Sequence, residues 1–128
     1  MPIHIVRLGS PRAANEGLRL GTVRRPPRGV PKSRFATDDW YDVWLPALSP
    51  SPDLVKSALS ADTPQQWNLF VRRFRAEMRR PDAAQLLDLL AALSHGTPFA
   101  AGCYCEDESR CHRSVLRALL AERGAMVV

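Results

Sequence analysis

Thr97-Pro-Phe-Ala-Ala-Gly-Cys-Tyr104 is the stretch on which the fold class turns. It is apolar on both faces, the mark of a strand buried inside a sheet rather than one with a wet side. A polar loop follows from Cys105 to Cys111. Val115, Leu116, Leu119 and Leu120 then recur at helical spacing, up to Gly124 in the position of a helix-ending residue. An interior strand leading through a loop into a helix is a unit of an α/β layer fold with parallel pairing.

Upstream, the same periodicities place the other elements. Asp82 is expected to cap a helix running through Leu93 and closed by Gly96. Thr63 to Arg79 is the clearest helix. Thr63 and Gln66 have capping-box spacing, Pro64 suits the first helical position, and Trp67, Phe70, Val71, Phe74 and Met78 form one apolar face. That face reads as core. Asp53 to Leu59 predicts another turn or two, and Trp40, Trp44, Leu45 and Leu48 predict a short amphipathic helix over 38–48. Strands are expected over Pro2–Leu8 and Leu18–Val23, joined by a loop over Gly9–Gly17, with a last short strand at Met126–Val128. The expected architecture is α/β: a single small layered domain over residues 1–128, with a partly parallel sheet flanked by helices.

With 128 residues, 45% hydrophobic and 24% charged, the chain can bury about two thirds of its unfolded surface and needs no staples to fold. No apolar run approaches the roughly 20 residues of a spanning helix, and residues 1–10 hold no signal-peptide core. The expectation is a soluble, cytoplasmic protein without a membrane partner. Its three cysteines all fall between Cys103 and Cys111, an odd and clustered set that suits reduced thiols better than a disulfide scaffold.

The net charge of +5 is concentrated at one end. From Arg7 to Arg34 the chain carries Arg7, Arg12, Arg19, Arg24, Arg25, Arg28, Lys32 and Arg34 against one acid, Glu16; the remainder is nearly balanced. Pro26, Pro27, Gly29 and Pro31 make 24–38 a long basic loop. A local positive field attracts phosphates, carboxylates, nucleic acid or an acidic partner. A merely solvated basic surface is the plain alternative.

Three chemistries compete at the segment Cys103-Tyr-Cys105-Glu-Asp-Glu-Ser-Arg110-Cys111-His112-Arg113. The first is anion binding: Arg24, Arg28 and Lys32 converge with Cys105, Arg110 and Arg113 on a small anionic ligand at a helix N-terminus. In the second, Cys111 is a nucleophile or redox thiol, with His112, or a distant His4 or His95, as base. Metal binding is the third, with Cys103, Cys105, Cys111 and His112 sharing a soft transition metal such as zinc, though C-x-C is tighter than the usual spacing. No cofactor is otherwise expected. Buried cysteines that only fill space are the structural alternative. A nucleic-acid or protein-interaction module using the basic quarter is the contrasting class. Few aromatic residues (Phe35, Trp40, Tyr41) stand near that loop to stack on bases.

These residues together resemble the family of small bacterial and archaeal proteins called domain of unknown function 488 (DUF488), in its YeaO-like branch. The resemblance runs through Arg7, Arg24, Pro27-Arg28-Gly29, Lys32, Asp42-Val-Trp44-Leu45, Ser49-Pro50-Ser51 and Leu54. It continues through Trp67, Phe70, Arg73, Phe74 and Glu77, and Cys103-Tyr-Cys105 with Cys111-His112-Arg113 looks like the family's cysteine-bearing form. Val23 and Pro26 stand where the family pattern has an Asp and a Trp. The resemblance implies a small α/β fold and carries no reaction with it.

Overall fold

The computed structural model describes residues 2–128. Four strands, β1 (Ile3–Arg7), β2 (Leu18–Gly21), β3 (Val43–Trp44) and β4 (Phe99–Cys103), form one sheet in the order β1-β4-β2-β3. Every pairing between them is parallel. The sheet is therefore parallel throughout, more uniformly than the sequence implied. β4 is buried at all five positions because it lies between β1 and β2, which explains its lack of a polar face. The chain end adds a single parallel bridge, Val127 to Ile3, in place of a last strand.

Four helices follow the expected periodicities: α1 (Pro52–Leu59), α2 (Pro64–Glu77), α3 (Pro81–Leu93) and α4 (His112–Glu122). Thr63 caps α2 and the full capping box with Gln66 forms. At α3 the expected cap is corrected. Arg80 holds the N-cap position and Pro81 opens the helix, so Asp82 lies within the first turn, where its charge suits the helix dipole.

The helix expected over 38–48 does not form. Residues up to Tyr41 make turns, Val43–Trp44 adds the edge strand β3, and Pro46–Leu48 is a short 3-10 turn. Pro46 is the physical reason, since it has no amide hydrogen to donate and disfavours helical backbone at Leu45 before it. Trp44 instead donates from Nε1 to the Val23 carbonyl at 2.7 Å, which ties β3 to the end of β2.

Alternation along β1 divides the interior. Ile3 and Ile5 point into the main core with Phe70, Phe74, Leu87, Leu116 and Leu120 of the helices. Val6, and Leu8 just beyond the strand, point into a smaller cluster with Val23, Phe35, Tyr41, Cys103 and Cys111. Gly21 allows Tyr41 to close over this second cluster, because a Cβ there would lie 2.4 Å from the tyrosine ring. The cysteines thus sit where the smaller core meets the carboxyl ends of the strands.

Candidate functional site

β4 ends at Cys103, and the loop after it returns through a 3-10 turn, Glu108–Arg110, to Cys111, the N-cap residue of α4. This brings three thiols and a histidine together. Cys103 Sγ lies 3.9 Å from Cys105 Sγ, and Cys111 Sγ lies 3.7 Å from His112 Nδ1. Ligand atoms of Cys103, Cys111 and His112 all fall within 4.8 Å of one another, and all three residues are buried; Cys105 is half-buried.

His112 is held from two sides. Its Nε2 is 2.6 Å from the carbonyl oxygen of Thr22, just past β2, and Phe74 of α2 packs edge-on against its ring at 5.6 Å. A carbonyl can only accept, so Nε2 carries the hydrogen, and in the neutral ring the Nδ1 lone pair faces Cys111.

Arg113 is 4% exposed, and no carboxylate lies within ion-pair distance of it among the described residues. Its Nη2 donates to the Cys105 carbonyl at 2.5 Å, while its buried Nε has no partner among the described residues. The surroundings split the thiols electrically. Cys103, donating toward Cys105 and Cys111, is pushed well above the usual thiol range. Cys105, accepting from Cys103 and facing the Arg113 charge, is pulled well below it. Cys111 is also lowered, by the Cys103 thiol first and His112 after it.

Two cavities adjoin here. The smaller, about 400 Å³, is lined by Cys103, Cys105, Cys111 and His112, with Arg24, Arg25, Lys56 and Arg110 among apolar residues of α1 and α2. The larger, about 640 Å³, is lined by Arg7, Arg25 and Arg28 with Trp40 and Tyr104. Arg25 and Tyr104 belong to both, and the Tyr104 hydroxyl donates to the Arg25 carbonyl at 2.7 Å. No aspartate or glutamate lines either one.

The family model for the active DUF488-N3 subclade matches residues 3–124. The chain belongs to the DUF488 family. No curated protein and no solved structure matches it.

Within this DUF488 chain, the residues singled out by sequence are distributed unevenly. Arg24 and Arg110 reach the smaller cavity, but both are partly engaged. Arg24 donates to the Pro50 and Ser49 carbonyls at 3.0 and 3.2 Å, and Arg110 donates to the Ala61 carbonyl at 3.0 Å. Arg28 lines only the larger of the two cavities. Lys32 lies on an exposed 3-10 turn and lines neither. His95 bonds the Gly124 carbonyl before β4 begins, and His4 is on β1 beside Ala100, so neither stands with the thiols.

The basic field is also thinner than its count. Arg19 is paired with Glu16, Arg12 with Asp39 and Asp42, and Arg34 with Asp38. Arg25 and Lys56 were not singled out by sequence. Arg25 could have been, as the neighbour of Arg24 in the proline-rich loop. Lys56 is an ordinary exposed helix lysine, and nothing local distinguishes it. Among the described residues, no helix is long and apolar enough to cross a membrane.

Proposed function

We propose that the protein binds a small anionic ligand, bearing phosphate or carboxylate, where the two cavities meet at Arg25 and Tyr104. The observation that carries this reading is the one-sided charge of the walls. Arg25 and Arg28 on one side, with Arg24, Lys56 and Arg110 on the other, face the space with no carboxylate among the lining residues, while Arg7 beside them is shared with Glu106 at 3.4 Å. Arg25 and Arg28 make no side-chain hydrogen bond or ion pair among the described residues, so their donors are free for a ligand. Guanidinium forks suit phosphate and carboxylate, and a partly enclosed apolar wall strengthens each charge-assisted bond. The odd and clustered set of three cysteines suits reduced thiols better than a disulfide scaffold, and a cytoplasmic location is the reading this supports.

Calorimetric titration of the purified protein with inorganic phosphate, pyrophosphate and citrate at low salt tests the reading. At least one should bind, and Arg25→Ala should weaken it about 10–100-fold, the loss of a charge-assisted hydrogen bond of about 1.5–3 kcal/mol. Arg28→Ala should weaken it less, because Arg28 reaches only the larger cavity. Absence of binding by all three probes, or affinity indifferent to Arg25→Ala, would remove the proposal. A steep salt slope with duplex DNA, and no response to the small anions, would assign these cations to nucleic acid instead.

A further inference from the structure

We propose that Cys103, Cys105, Cys111 and His112 form a site for a soft divalent cation, with zinc the best fit. The inference is independent of the anion reading and holds whether or not the arginine-lined cavities take a ligand. It rests on distances, on the surroundings of one histidine and on a charge count.

A tetrahedral centre with metal–sulphur bonds of about 2.3 Å and metal–nitrogen bonds of about 2.0–2.1 Å sets its sulphurs about 3.8 Å apart, and sulphur and nitrogen about 3.6 Å apart. The corresponding separations here are 3.9 Å for Cys103 and Cys105, and 3.7 Å for Cys111 and His112 Nδ1. Cys103, Cys111 and His112 already form a compact triad. Cys105, half-buried at the cavity wall and 3.9 Å from Cys103 but outside that compact triad, would supply the fourth ligand as a thiolate.

Metal-binding histidines characteristically donate their other ring N–H to a backbone carbonyl or carboxylate, which fixes ring and tautomer. His112 has this arrangement, with Nε2 on the Thr22 carbonyl at 2.6 Å and Nδ1 toward the Cys111 sulphur. A histidine that only capped or solvated α4 would be exposed; this one is 8% exposed.

The charge count selects four ligands over three. A divalent cation with three thiolates and a neutral imidazole carries one negative charge. Arg113 supplies one positive charge beside the site, buried, without a carboxylate and with an unpartnered Nε. The two cancel. With only the compact triad as ligands the centre would be neutral and would itself offer Arg113 no counter-charge; the Cys105 thiolate, which faces Arg113, supplies it once it joins the metal. Thiolate sulphur selects zinc or another soft ion over magnesium or calcium. Binding replaces waters of the hydrated ion with three sulphurs and one nitrogen, and sends to solvent the protons of whichever thiols still carry them.

The test uses full-length protein stripped with a chelator under reducing conditions, then titrated with cobalt(II) and with zinc. One equivalent of cobalt should bind, with sulphur-to-cobalt charge transfer in the near ultraviolet and strong visible bands of tetrahedral cobalt, both abolished when zinc displaces it. Cys105→Ser should keep the fold and lose about a third of the charge-transfer intensity. Arg113→Met should weaken cobalt affinity about 10–100-fold. Since Cys111→Ser or Arg113→Met could unfold this buried region, wild-type melting with and without zinc serves as a second measurement, and zinc should raise Tm in a concentration-dependent way. Less than a tenth of an equivalent of either metal bound by folded wild type, or iodoacetamide labelling equally fast with and without zinc, would overturn the proposal.

Discussion

Arg19 grips Glu16 through two parallel hydrogen bonds, Nε to Oε2 at 2.8 Å and Nη2 to Oε1 at 2.9 Å, with both side chains buried. The same guanidinium donates from Nη1 to the carbonyls of Ser10 and Asp39, at 2.8 and 2.7 Å. One arginine thus joins the loop after β1 to the turn before β3. Breaking one member of a buried pair leaves an uncompensated charge, so Glu16→Gln should destabilise the fold by about 3–5 kcal/mol. Urea unfolding should show a lower midpoint at unchanged slope. A loss under about 1 kcal/mol would mean that water reaches this pair.

Acid should unfold the protein partly through the same cluster. Burial pushes the Glu16 and Asp42 carboxyls upward, but bonds from Arg19 and Arg12, with backbone amides added, hold both below their ordinary values of 4.5 and 3.8. A folded-state value below the unfolded one adds stability that is present above the unfolded value and is lost as pH falls through the folded one. Stability from these two groups should therefore be complete above about pH 5 and decline on acidification. Asp42→Asn should flatten that acid limb in unfolding measured across pH. An unchanged limb would contradict the assignment.

Gly17 has φ +78°, and a Cβ there would meet the Pro98 carbonyl oxygen at 2.0 Å. Gly29 has φ +75° with nothing within 4 Å. Gly29→Ala should cost only the left-handed strain of about 1–2 kcal/mol. Gly17→Ala should cost more, because the backbone of 98 before β4 must move as well. Equal melting temperatures for the two variants would show that the close approach is absent in solution.

Thr63→Ala should lower stability by about 1 kcal/mol through the lost α2 cap. Gln66→Ala removes the return bonds to the amides of Thr63 and Asp62, at 3.2 and 2.7 Å. The double variant should lose less than the sum, since the two side chains complete one motif. Thermal melts of the three variants check this, and strict additivity would contradict it.

The elements were readable where a local pattern sufficed. Thr63, Pro64 and Gln66 announce α2, and the unbroken apolar run at Phe99–Cys103 announces an interior strand. The segment 38–48 misleads because Trp40, Trp44 and Leu48 repeat at helical spacing by coincidence, while Pro46 interrupts the helix they suggest. The thiol cluster was partly legible, since Cys103, Cys105, Cys111 and His112 are neighbours in sequence. That Cys111 and His112 are buried, that Arg113 has no acid partner, and that Thr22 supplies the histidine's acceptor carry no local signal.

Periodicity, caps and proline positions were enough to establish an α/β chain with a central strand running into a cysteine-bearing turn, because those signals act within a few residues. The fate of each charge was settled only by folding. Arg19 and Arg25 look alike along the chain, yet one is enclosed on Glu16 and the other lines both cavities. Whether a cation is neutralised depends on which backbone and carboxylates the sheet order brings beside it. Thr22 and His112 meet across 90 positions because β2 lies next to β4, and no local preference encodes that adjacency.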